Sequence, residues 1–324
     1  MRQIVLIITI LMQCIGYPLA PSRHCEIDDH ITKEVHTELL RTSNENLPQR
    51  IVVFPLFAEE MLLEMIGSER IVFVGHQYFK NGEAHSPTME MTKTIPGEVW
   101  SDTDADIILD FNPDLIITQE NDPIELERTD VPVLYLKPPQ SFQDVKHNLT
   151  LLGETVGATD KAKQMIEQID STLFLTNKIV SKIPTEKRLR AIYCWDGPWL
   201  ENGTVYYMIR SEEFSFVAES AGLVPLSAHQ PPEGLEVITQ EQLIKWAPDL
   251  LLIVPICYDT NGAILNVDPA YSRKVMNEFI NDPKLASVPA VKNRKLYPFR
   301  LSTSQFAVQS VMDLLHLAYP NLID

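Results

Sequence analysis

The chain has 324 residues, of which 45% are hydrophobic and 22% charged, and its formal net charge is −17 at pH 7. These proportions are typical of a folded globular protein long enough for two domains, and they exclude a disordered chain. The acidity argues against nucleic acids and anionic lipid surfaces as partners, because both are bound through clustered Lys and Arg.

The first residues, MRQIVLIITILMQCIGYPLA, carry one Arg, then an apolar run, then small and turn-forming residues. This order is typical of a secretory signal peptide, which we predict over residues 1–22. The apolar run is too short to span a bilayer comfortably. We therefore expect an exported protein, periplasmic or associated with the cell surface. A lipid anchor at Cys14 is the less favoured alternative, because Gln13 stands where a small residue is preferred.

Strand and helix patterns alternate after residue 46. The predicted strands are RIVVF, RIVFVG, DLIIT and VPVLYL, and the predicted helices are AEEMLLEMIG, which ends at Gly67, and DADIILDF. Apolar strands that alternate with helices indicate a parallel sheet covered on both faces. We predict an N-terminal α/β lobe over residues 46–138.

No strand pattern follows between residues 141 and 183. SFQDVKHNLTLLGETVG is predicted to be one helix, and TDKAKQMIEQIDSTLFLTNKIVSKI a long second helix capped by Thr159 or Asp160. This segment is expected to form a helical spine joining two lobes. The alternative is that its helices cover one large sheet.

The alternation then restarts over residues 187–324, where we predict a C-terminal α/β lobe. Its predicted strands are RLRAIYC, LVPLS, DLLLIVPIC and KLYPF, and its predicted helices are SEEFSFVAESAG, TQEQLIKWA, SRKVMNEFIND and TSQFAVQSVMDLLHLAY. The second lobe therefore repeats the plan of the first.

One segment occurs in two similar forms, DADIILDFNPDLIIT at 104–118 and TQEQLIKWAPDLLLIV at 239–254. Asp106 precedes Pro113 by seven positions, and Glu241 precedes Pro248 by the same seven. Each copy reads as a helix, a Pro-Asp turn and a central parallel strand. The repeat indicates the same position in two similar lobes.

In order and spacing, these segments resemble the substrate-binding proteins of ABC importers for iron complexes, haem and cobalamin, in the subclass whose lobes are joined by one rigid helix. The resemblance covers nearly all of the chain after the signal. It includes RIVVFPLFAEEMLLEMIGSERIVFVG, DADIILDFNPDLIIT, VPVLYL, LLGETVGATDKA, FVAESAG, TQEQLIKWAPDLLLIV and PAVKNRKLYPF. It implies an α/β protein of two Rossmann-like lobes with parallel central sheets, joined by one long backbone helix. The ligand is expected in the crevice between the lobes, with a small hinge motion.

The resemblance also implies a partner, the permease of an ABC transporter. In this family one acidic residue on each lobe pairs with Arg residues of the permease, and the matching positions here are Asp106 and Glu241. The family usually has Glu at the first position, where this chain has Asp. The alternative for both is helix capping, since an acid in a first turn is favoured by the helix dipole. Family members mostly act as monomers, and we expect the same here.

The loops expected to line the crevice follow the carboxyl ends of strands, and they are rich in aromatic residues. They include CWDGPWLENGTVYYM and CYDTNGAILN, and their aromatic residues are Phe57, Tyr78, Phe79, Trp100, Trp195, Trp199, Tyr206, Tyr207 and Tyr258. Such side chains supply contact area at low entropic cost, which suits a large flat ligand. The predicted ligand contacts are Phe57, Tyr78, Trp100, Trp195, Trp199, Tyr206, Tyr258 and Arg210. The alternative for each aromatic is packing within its own lobe.

The sequence does not decide whether the ligand is an iron chelate (a siderophore or haem) or a corrinoid. Haem requires an axial ligand, for which the candidates are His76, Tyr78, His85 and Tyr258. An anionic siderophore would be met by the basic residues Lys80, Arg210 and Arg300. By resemblance, Trp100 matches a tryptophan that packs on the ligand in the cobalamin-binding relatives. A bare metal fits the aromatic loops less well, and no cofactor of the protein's own is expected.

The common catalytic motifs are absent from the sequence, which has no G-x-S-x-G, H-E-x-x-H or phosphate-loop pattern. We therefore expect a binding protein and not an enzyme, with a chelatase-like metal or cofactor enzyme as the less favoured alternative. Cys194 and Cys257 each end a predicted strand. They are either small buried hydrophobes or partners in a disulfide.

Overall fold

The structure is a computed structural model, and it describes residues 47–75, 95, 108–119, 130–201, 203–210, 212–226, 235–254, 257–258, 264–266 and 269–322. The predicted signal peptide lies outside these residues. None of the helices in the described parts of the chain combines the length and apolarity needed to cross a membrane.

The first sheet has four parallel strands in the order β2-β1-β3-β4. Its elements are β1 (Ile51–Val53), α1 (Leu56–Ile66), β2 (Ile71–Val74), β3 (Leu115–Gln119) and β4 (Val133–Leu136). The strands are short aliphatic runs, and every residue of β1 is fully buried, as expected for strands covered on both faces. All four predicted strands are confirmed. The predicted helix DADIILDF lies outside the described residues except for its last four.

Two helices follow the first sheet, α2 (Phe142–Val156) and α3 (Thr159–Val180). Ser141 caps α2, because its Oγ accepts a hydrogen bond from the backbone N of Asp144 at 3.1 Å. The helix ends at Gly157, whose φ of 75° lies in the left-handed region that glycine tolerates. The N-cap of α3 is Ala158, so the predicted cap at Thr159 or Asp160 is wrong by one or two residues. Ala158 is the one residue between Gly157, which ends α2, and Thr159, which begins α3, and its backbone N donates to the Gly153 carbonyl at 2.7 Å.

The second sheet is mixed, with strands in the order β12-β9-β5-β6-β8 and β7 paired with β5. The strands of the second half are β5 (Arg190–Glu201), β6 (Thr204–Arg210), β7 (Val224–Pro225), β8 (Leu235–Thr239), β9 (Leu250–Ile253), β10 (Cys257–Tyr258), β11 (Ile264–Asn266) and β12 (Leu296–Pro298). Its helices are α4 (Glu212–Ser220), α5 (Gln240–Trp246), α6 (Pro269–Asn281), α7 (Pro289–Lys292) and α8 (Ala307–Ala318). Strands β12, β9, β5 and β7 pair in parallel, whereas β6 pairs antiparallel with both β5 and β8.

The prediction of a loop from residue 194 to 208 is wrong, because this stretch forms the β5–β6 hairpin. Its turn includes Gly203, whose φ is 82°. The sequence carries a signal for this turn that the loop prediction overlooked, since Asn202-Gly203 between β-prone residues favours a tight hairpin. The stretch 257–266 likewise contains an antiparallel pair, β10 with β11, and the sequence between the two strands includes Asn261-Gly262.

The repeated sequence corresponds to a repeated set of contacts around each Pro-Asp turn. In the first half, Asp114 Oδ1 accepts from the backbone N of Arg50 at 2.9 Å. In the second half, Asp249 Oδ2 accepts from the backbone N of Arg190, also at 2.9 Å. Each aspartate therefore fixes the start of the neighbouring strand, β1 or β5. We call each Arg and Asp pair an Arg–Asp bracket.

The arginine of each bracket also holds the end of the helix before the turn. Arg50 Nε donates to the Asn112 carbonyl at 2.9 Å, and Arg190 Nη2 donates to the Ala247 carbonyl at 2.6 Å. Both carbonyl residues have left-handed backbones, with φ values of 48° and 45°. A cation at the last carbonyls of a helix satisfies acceptors that have no partner within it. The duplicated sequence therefore specifies a duplicated helix-to-strand joint.

The two halves belong to one compact unit and share a hydrophobic core. Helix α2 packs against α4 through Phe142 and Phe216, whose ring centroids are 5.2 Å apart in an edge-to-face arrangement. Helix α3 buries Met165 and Ile169 in the same core. This core is continuous between the halves, and the small hinge motion stays a prediction.

Candidate ligand-binding site

The two α/β halves contact each other through α1 and the segment that follows β12. Helix α1 comes soon after β1 in the chain, and Arg300 is the second residue after the end of β12. Arg300 Nη2 donates to Glu60 Oε1 of α1 at 2.6 Å, so the helix that follows β1 contacts the segment that follows β12. In α/β proteins ligands bind outside the carboxyl ends of parallel strands. We therefore take the region beside this contact as the candidate crevice.

Phe57 is the one predicted contact in the first half whose side chain is described. It lies in the first turn of α1, where it is 7% exposed and packs into the shared core. Its role as a ligand contact stays a prediction. The other predictions for the first half lie outside the described residues, and these are Tyr78, Trp100 and Asp106, together with His76, Phe79, Lys80 and His85.

The β5–β6 hairpin brings together four of the predicted contacts in the second half. Trp199 and Tyr206 are register partners across the hairpin, while Trp195 pairs with Met208. Arg210 ends β6, opposite Leu235 of β8. Tyr258 lies on β10, in the separate two-stranded sheet. The hairpin thus concentrates aromatic residues on one element, but ligand contact by any of them stays a prediction.

Tyr207, one of the aromatics expected in this loop, belongs to the core of the second half. It is 1% exposed and stacks on Phe279 with ring centroids 5.0 Å apart. Its hydroxyl accepts a hydrogen bond from Gln240 Nε2 at 3.4 Å. Burial raises the pKa of Tyr207 to about 12. Tyr207 therefore packs within its own lobe, which was the alternative to ligand contact for each of these aromatic residues.

Glu241, the predicted docking residue of the second half, lies exposed in the first turn of α5. The cap of this helix is complete without it. Thr239 Oγ1 accepts from the backbone N of Gln242 at 3.2 Å, and Gln242 Oε1 accepts from the backbone N of Thr239 at 2.9 Å. This reciprocal capping box satisfies the first orphan donors of the helix. The Glu241 carboxylate is therefore available to a partner.

A buried polar cluster at this contact between the halves was missed by the sequence analysis. Glu60 is 2% exposed, and besides Arg300 its carboxylate accepts hydrogen bonds from Ser302 Oγ at 3.1 Å and Ser304 Oγ at 2.5 Å. Gln305 Nε2 donates to the Glu60 carbonyl at 3.0 Å. No local signal pairs Glu60 with Arg300, although the largely apolar sequence of α1, LFAEEMLLEMI, fits a helix that is buried from Phe57 to Leu63.

Glu59, the other member of that pair, is 1% exposed, and its Oε2 has no hydrogen-bond partner. Burial raises its pKa well above the usual value. The neighbouring Glu60 raises it further, while Arg300 opposes the shift. The Glu59 side chain therefore favours the neutral carboxyl form, whereas the Glu60 carboxylate has a cationic partner in Arg300.

Within the described ranges, no group of three or more His, Cys, Asp or Glu side chains is placed to hold a metal ion.

A groove of about 560 Å³ runs along a single helix, α6. It is lined by Ala270, Arg273, Lys274, Asn277, Glu278 and Asn281. Among the described residues its lining comes from this one helix, away from the Glu60 to Arg300 contact.

Cys194 is a free thiol that is fully buried in β5. The structure thus favours the small buried hydrophobe over the disulfide with Cys257. Burial raises the pKa of its thiol to about 12, so the reactive thiolate is scarce near neutral pH.

We expect Cys194 to resist alkylation by iodoacetamide at pH 8 in the folded protein and to react fully in urea without any reductant. Peptide mapping by mass spectrometry reports on this cysteine separately from the others. Labelling in urea that appears only after reduction would show instead that Cys194 is held in a disulfide.

Comparison with known proteins gives a family and a fold. A family profile described as "Periplasmic binding protein" matches residues 62–300. No curated protein sequence matches the chain.

Several solved structures share the fold. The periplasmic heme-binding protein RhuT from Roseiflexus sp. RS-1, in its apo form, has a TM-score of 0.65 and 17% identity, over 85% of this chain and 99% of that one. A periplasmic heme-binding protein from Pseudomonas aeruginosa has a TM-score of 0.64 and 17% identity, over 85% and 94%. Helicobacter pylori CeuE with Ni(II) bound has a TM-score of 0.66 and 15% identity, over 85% of each chain. These similarities confirm the predicted α/β fold of two lobes.

Proposed function

Because the chain belongs to the periplasmic binding protein family, we propose that it is the extracytoplasmic substrate-binding protein of an ABC importer. It captures an iron complex, either a siderophore or haem, or a corrinoid, and it delivers this cargo to the membrane permease. The family consists of binding proteins and not enzymes, which agrees with the absence of catalytic motifs. Capture and delivery require no chemical step.

The observation that carries the proposal is the contact between two α/β halves, made by α1 and the segment after β12 beside a continuous hydrophobic core. The Glu60 to Arg300 ion pair fixes this contact. The described strands of the first sheet fall within 46–138, helices α2 and α3 within 141–183, and the second sheet within 187–324. We propose these ranges as the N-terminal lobe, the spine and the C-terminal lobe. Export is proposed to depend on a signal peptide at 1–22.

The cargo class is proposed from the aromatic residues and from the relatives. Trp195, Trp199 and Tyr206 share one hairpin. Phe57 follows the end of β1, and Tyr258 follows the end of β9. Aromatic side chains supply large contact areas, which suits a macrocycle or a bulky chelate. Two of the structural relatives are heme-binding proteins by name, and CeuE was solved with Ni(II). A corrinoid is the alternative that the position of Trp100 favours.

Titration of the purified protein with haem, with cyanocobalamin, and with ferric hydroxamate and ferric catecholate siderophores tests the proposal. We expect one ligand class to quench tryptophan fluorescence saturably at one ligand per protein. Trp100→Ala and Trp199→Ala are each expected to weaken binding about tenfold or more, as for buried aromatic anchors.

Trp246→Phe is the matched control. Trp246 ends α5 and packs against the core of the second half, so its replacement should leave the dissociation constant unchanged. If no ligand in the panel binds by fluorescence or by equilibrium dialysis, the proposed cargo class is wrong.

A further inference from the structure

A buried polar contact joins the two α/β halves, and the function proposed above uses it only to locate the crevice. On one side are Glu59 and Glu60 of α1, and on the other are Arg300, Ser302 and Ser304, between β12 and α8. We call these five residues the interlobe cluster. Its hydrogen-bonded members Glu60 and Ser304 are 244 positions apart in sequence, so the cluster fixes two distant parts of the chain against each other.

The cluster depends on one ion pair in an unusual setting. The Glu60 side chain is 2% exposed and that of Arg300 is 26% exposed. A buried ion pair adds little net stability, but separating its partners leaves an uncompensated charge away from water. Any hinge movement that pulls the halves apart at this point has to break the pair and the two serine hydrogen bonds together. The cluster therefore resists opening here.

The segment that follows β12 is itself held in place by hydrogen bonds. The backbone N of Leu301 donates to the Tyr193 hydroxyl at 3.3 Å, and that of Ser302 donates to Ser310 Oγ at 3.2 Å. The Ser302 and Ser304 hydroxyls are 2.8 Å apart. Glu60 thus engages an ordered segment that is anchored to β5 and α8, which means that its pull is transmitted to the second half.

Glu59 introduces a second carboxyl into a cluster with one cation. Its Oε2 lies buried without a hydrogen-bond partner, while both Glu60 oxygens are occupied. The charged groups that act on it are Glu60, on its own helix, and Arg300, across the interface. The other ion pair of α1 joins Glu64 to Lys161 of α3, and both of those side chains are more than a third exposed. One guanidinium cannot satisfy two buried carboxylates.

We propose that the interlobe cluster is a proton-controlled clamp, in which a neutral Glu59 lets Glu60 hold the two halves together and an ionised Glu59 loosens that hold. Ionisation places two negative charges beside Arg300, so the guanidinium is shared and the Glu60 contact weakens. The proton leaves Glu59 to bulk water, and no other group changes its charge. The clamp rests on the contact between the halves and does not depend on which cargo is bound.

The sign of the pH dependence follows from the direction of the shift. The raised pKa of Glu59 means that the folded protein retains a proton that the unfolded chain has lost. Stability from this group is therefore greatest below the pKa of the unfolded chain, and it falls as the pH rises towards the pKa of the folded protein. Glu59→Gln removes this loss, because the amide stays neutral.

Hydrogen–deuterium exchange of residues 300–306 in the ligand-free protein tests the clamp. Wild type and Glu59→Gln are compared at the same pH, so that intrinsic exchange rates cancel except at the substituted site. We expect equal exchange near pH 4.5, and exchange in the wild type that becomes about tenfold faster than in Glu59→Gln as the pH rises to 9. Glu60→Gln should exchange faster than the wild type at every pH.

Glu64→Gln is the control, because it changes an exposed carboxylate on the same helix and should leave exchange in 300–306 unchanged. If Glu59→Gln and the wild type exchange alike from pH 4.5 to 9, the proton-controlled clamp is wrong. If Glu60→Gln behaves like Glu64→Gln, Glu60 does not hold the halves. Because no ligand is present, either outcome leaves the proposed cargo and importer untouched.

Discussion

Reversing the two predicted docking charges, as Asp106→Lys with Glu241→Lys, is expected to abolish uptake of the cargo while leaving its dissociation constant unchanged. Glu241 is exposed on α5, and the helix cap is complete without it. A lysine facing a permease arginine turns an attractive contact into a repulsive one, at a cost of several kcal/mol. Uptake by cells or proteoliposomes that contain the permease, measured beside a binding titration, separates docking from capture.

The control for this double reversal is Glu167→Lys with Glu278→Lys, which changes the net charge equally at two exposed positions on α3 and α6. Uptake should persist in the control. Equal loss of uptake in the control would reduce docking to a general charge effect. Loss of cargo affinity in the Asp106 and Glu241 variant would place those residues in the binding site instead.

Removing the arginine of the second Arg–Asp bracket, as Arg190→Ala, is expected to lower the free energy of unfolding by about 2–3 kcal/mol. Arg190 donates to the carbonyls of Trp246 and Ala247 at 3.1 and 2.6 Å, and its Nε lies 3.4 Å from Asp249 Oδ2. These bonds satisfy carbonyls at the end of α5 and tie that end to the first residue of β5. Their loss leaves helix-end carbonyls without a protein donor. Urea denaturation followed by circular dichroism measures the change.

Lys245→Ala is the matched control, since it removes an exposed cation from the last turn of the same helix without removing a bracket. We expect a change within about 0.5 kcal/mol, as for most surface substitutions. Arg50→Ala tests the first bracket and should destabilise in the same direction as Arg190→Ala. An Arg190 variant no less stable than the Lys245 variant would show that the duplicated joint is not a source of stability.

The elements could be predicted where the sequence carries strong local signals. The strands 51–53, 71–74, 115–119 and 133–136 are aliphatic runs between helices, and a parallel sheet buries such runs completely. The end of α2 at Gly157 could also be predicted, because few residues other than glycine adopt a φ of 75°. The duplicated Pro-Asp turn predicted two similar halves correctly, and the Arg–Asp brackets give its physical reason.

The hairpin of the second half was missed because its aromatic residues suggested a binding loop. The same residues favour strands, and the Asn-Gly pair at 202–203 marks the turn. Tyr207 shows the consequence, since neighbouring strand residues face opposite sides and one of them has to enter the core. Aromatic content alone does not separate the residues that pack from those that face solvent or ligand.

The interlobe cluster could not be predicted from local sequence at all. Nothing near Glu60 indicates Arg300, because the contact spans 240 positions and forms only when both halves are folded. Two adjacent glutamates in a helix ordinarily indicate a solvated face. Here the helix is buried from residue 57 to 63, so the tertiary environment decides both their burial and their charge.

A crystal structure of the protein with the tightest-binding member of the ligand panel tests the central claim most directly. The account predicts that the cargo lies at the carboxyl ends of the strands and touches both halves, near the Glu60 to Arg300 contact and the β5–β6 hairpin. A cargo bound to one half alone, or in the groove along α6, would contradict it.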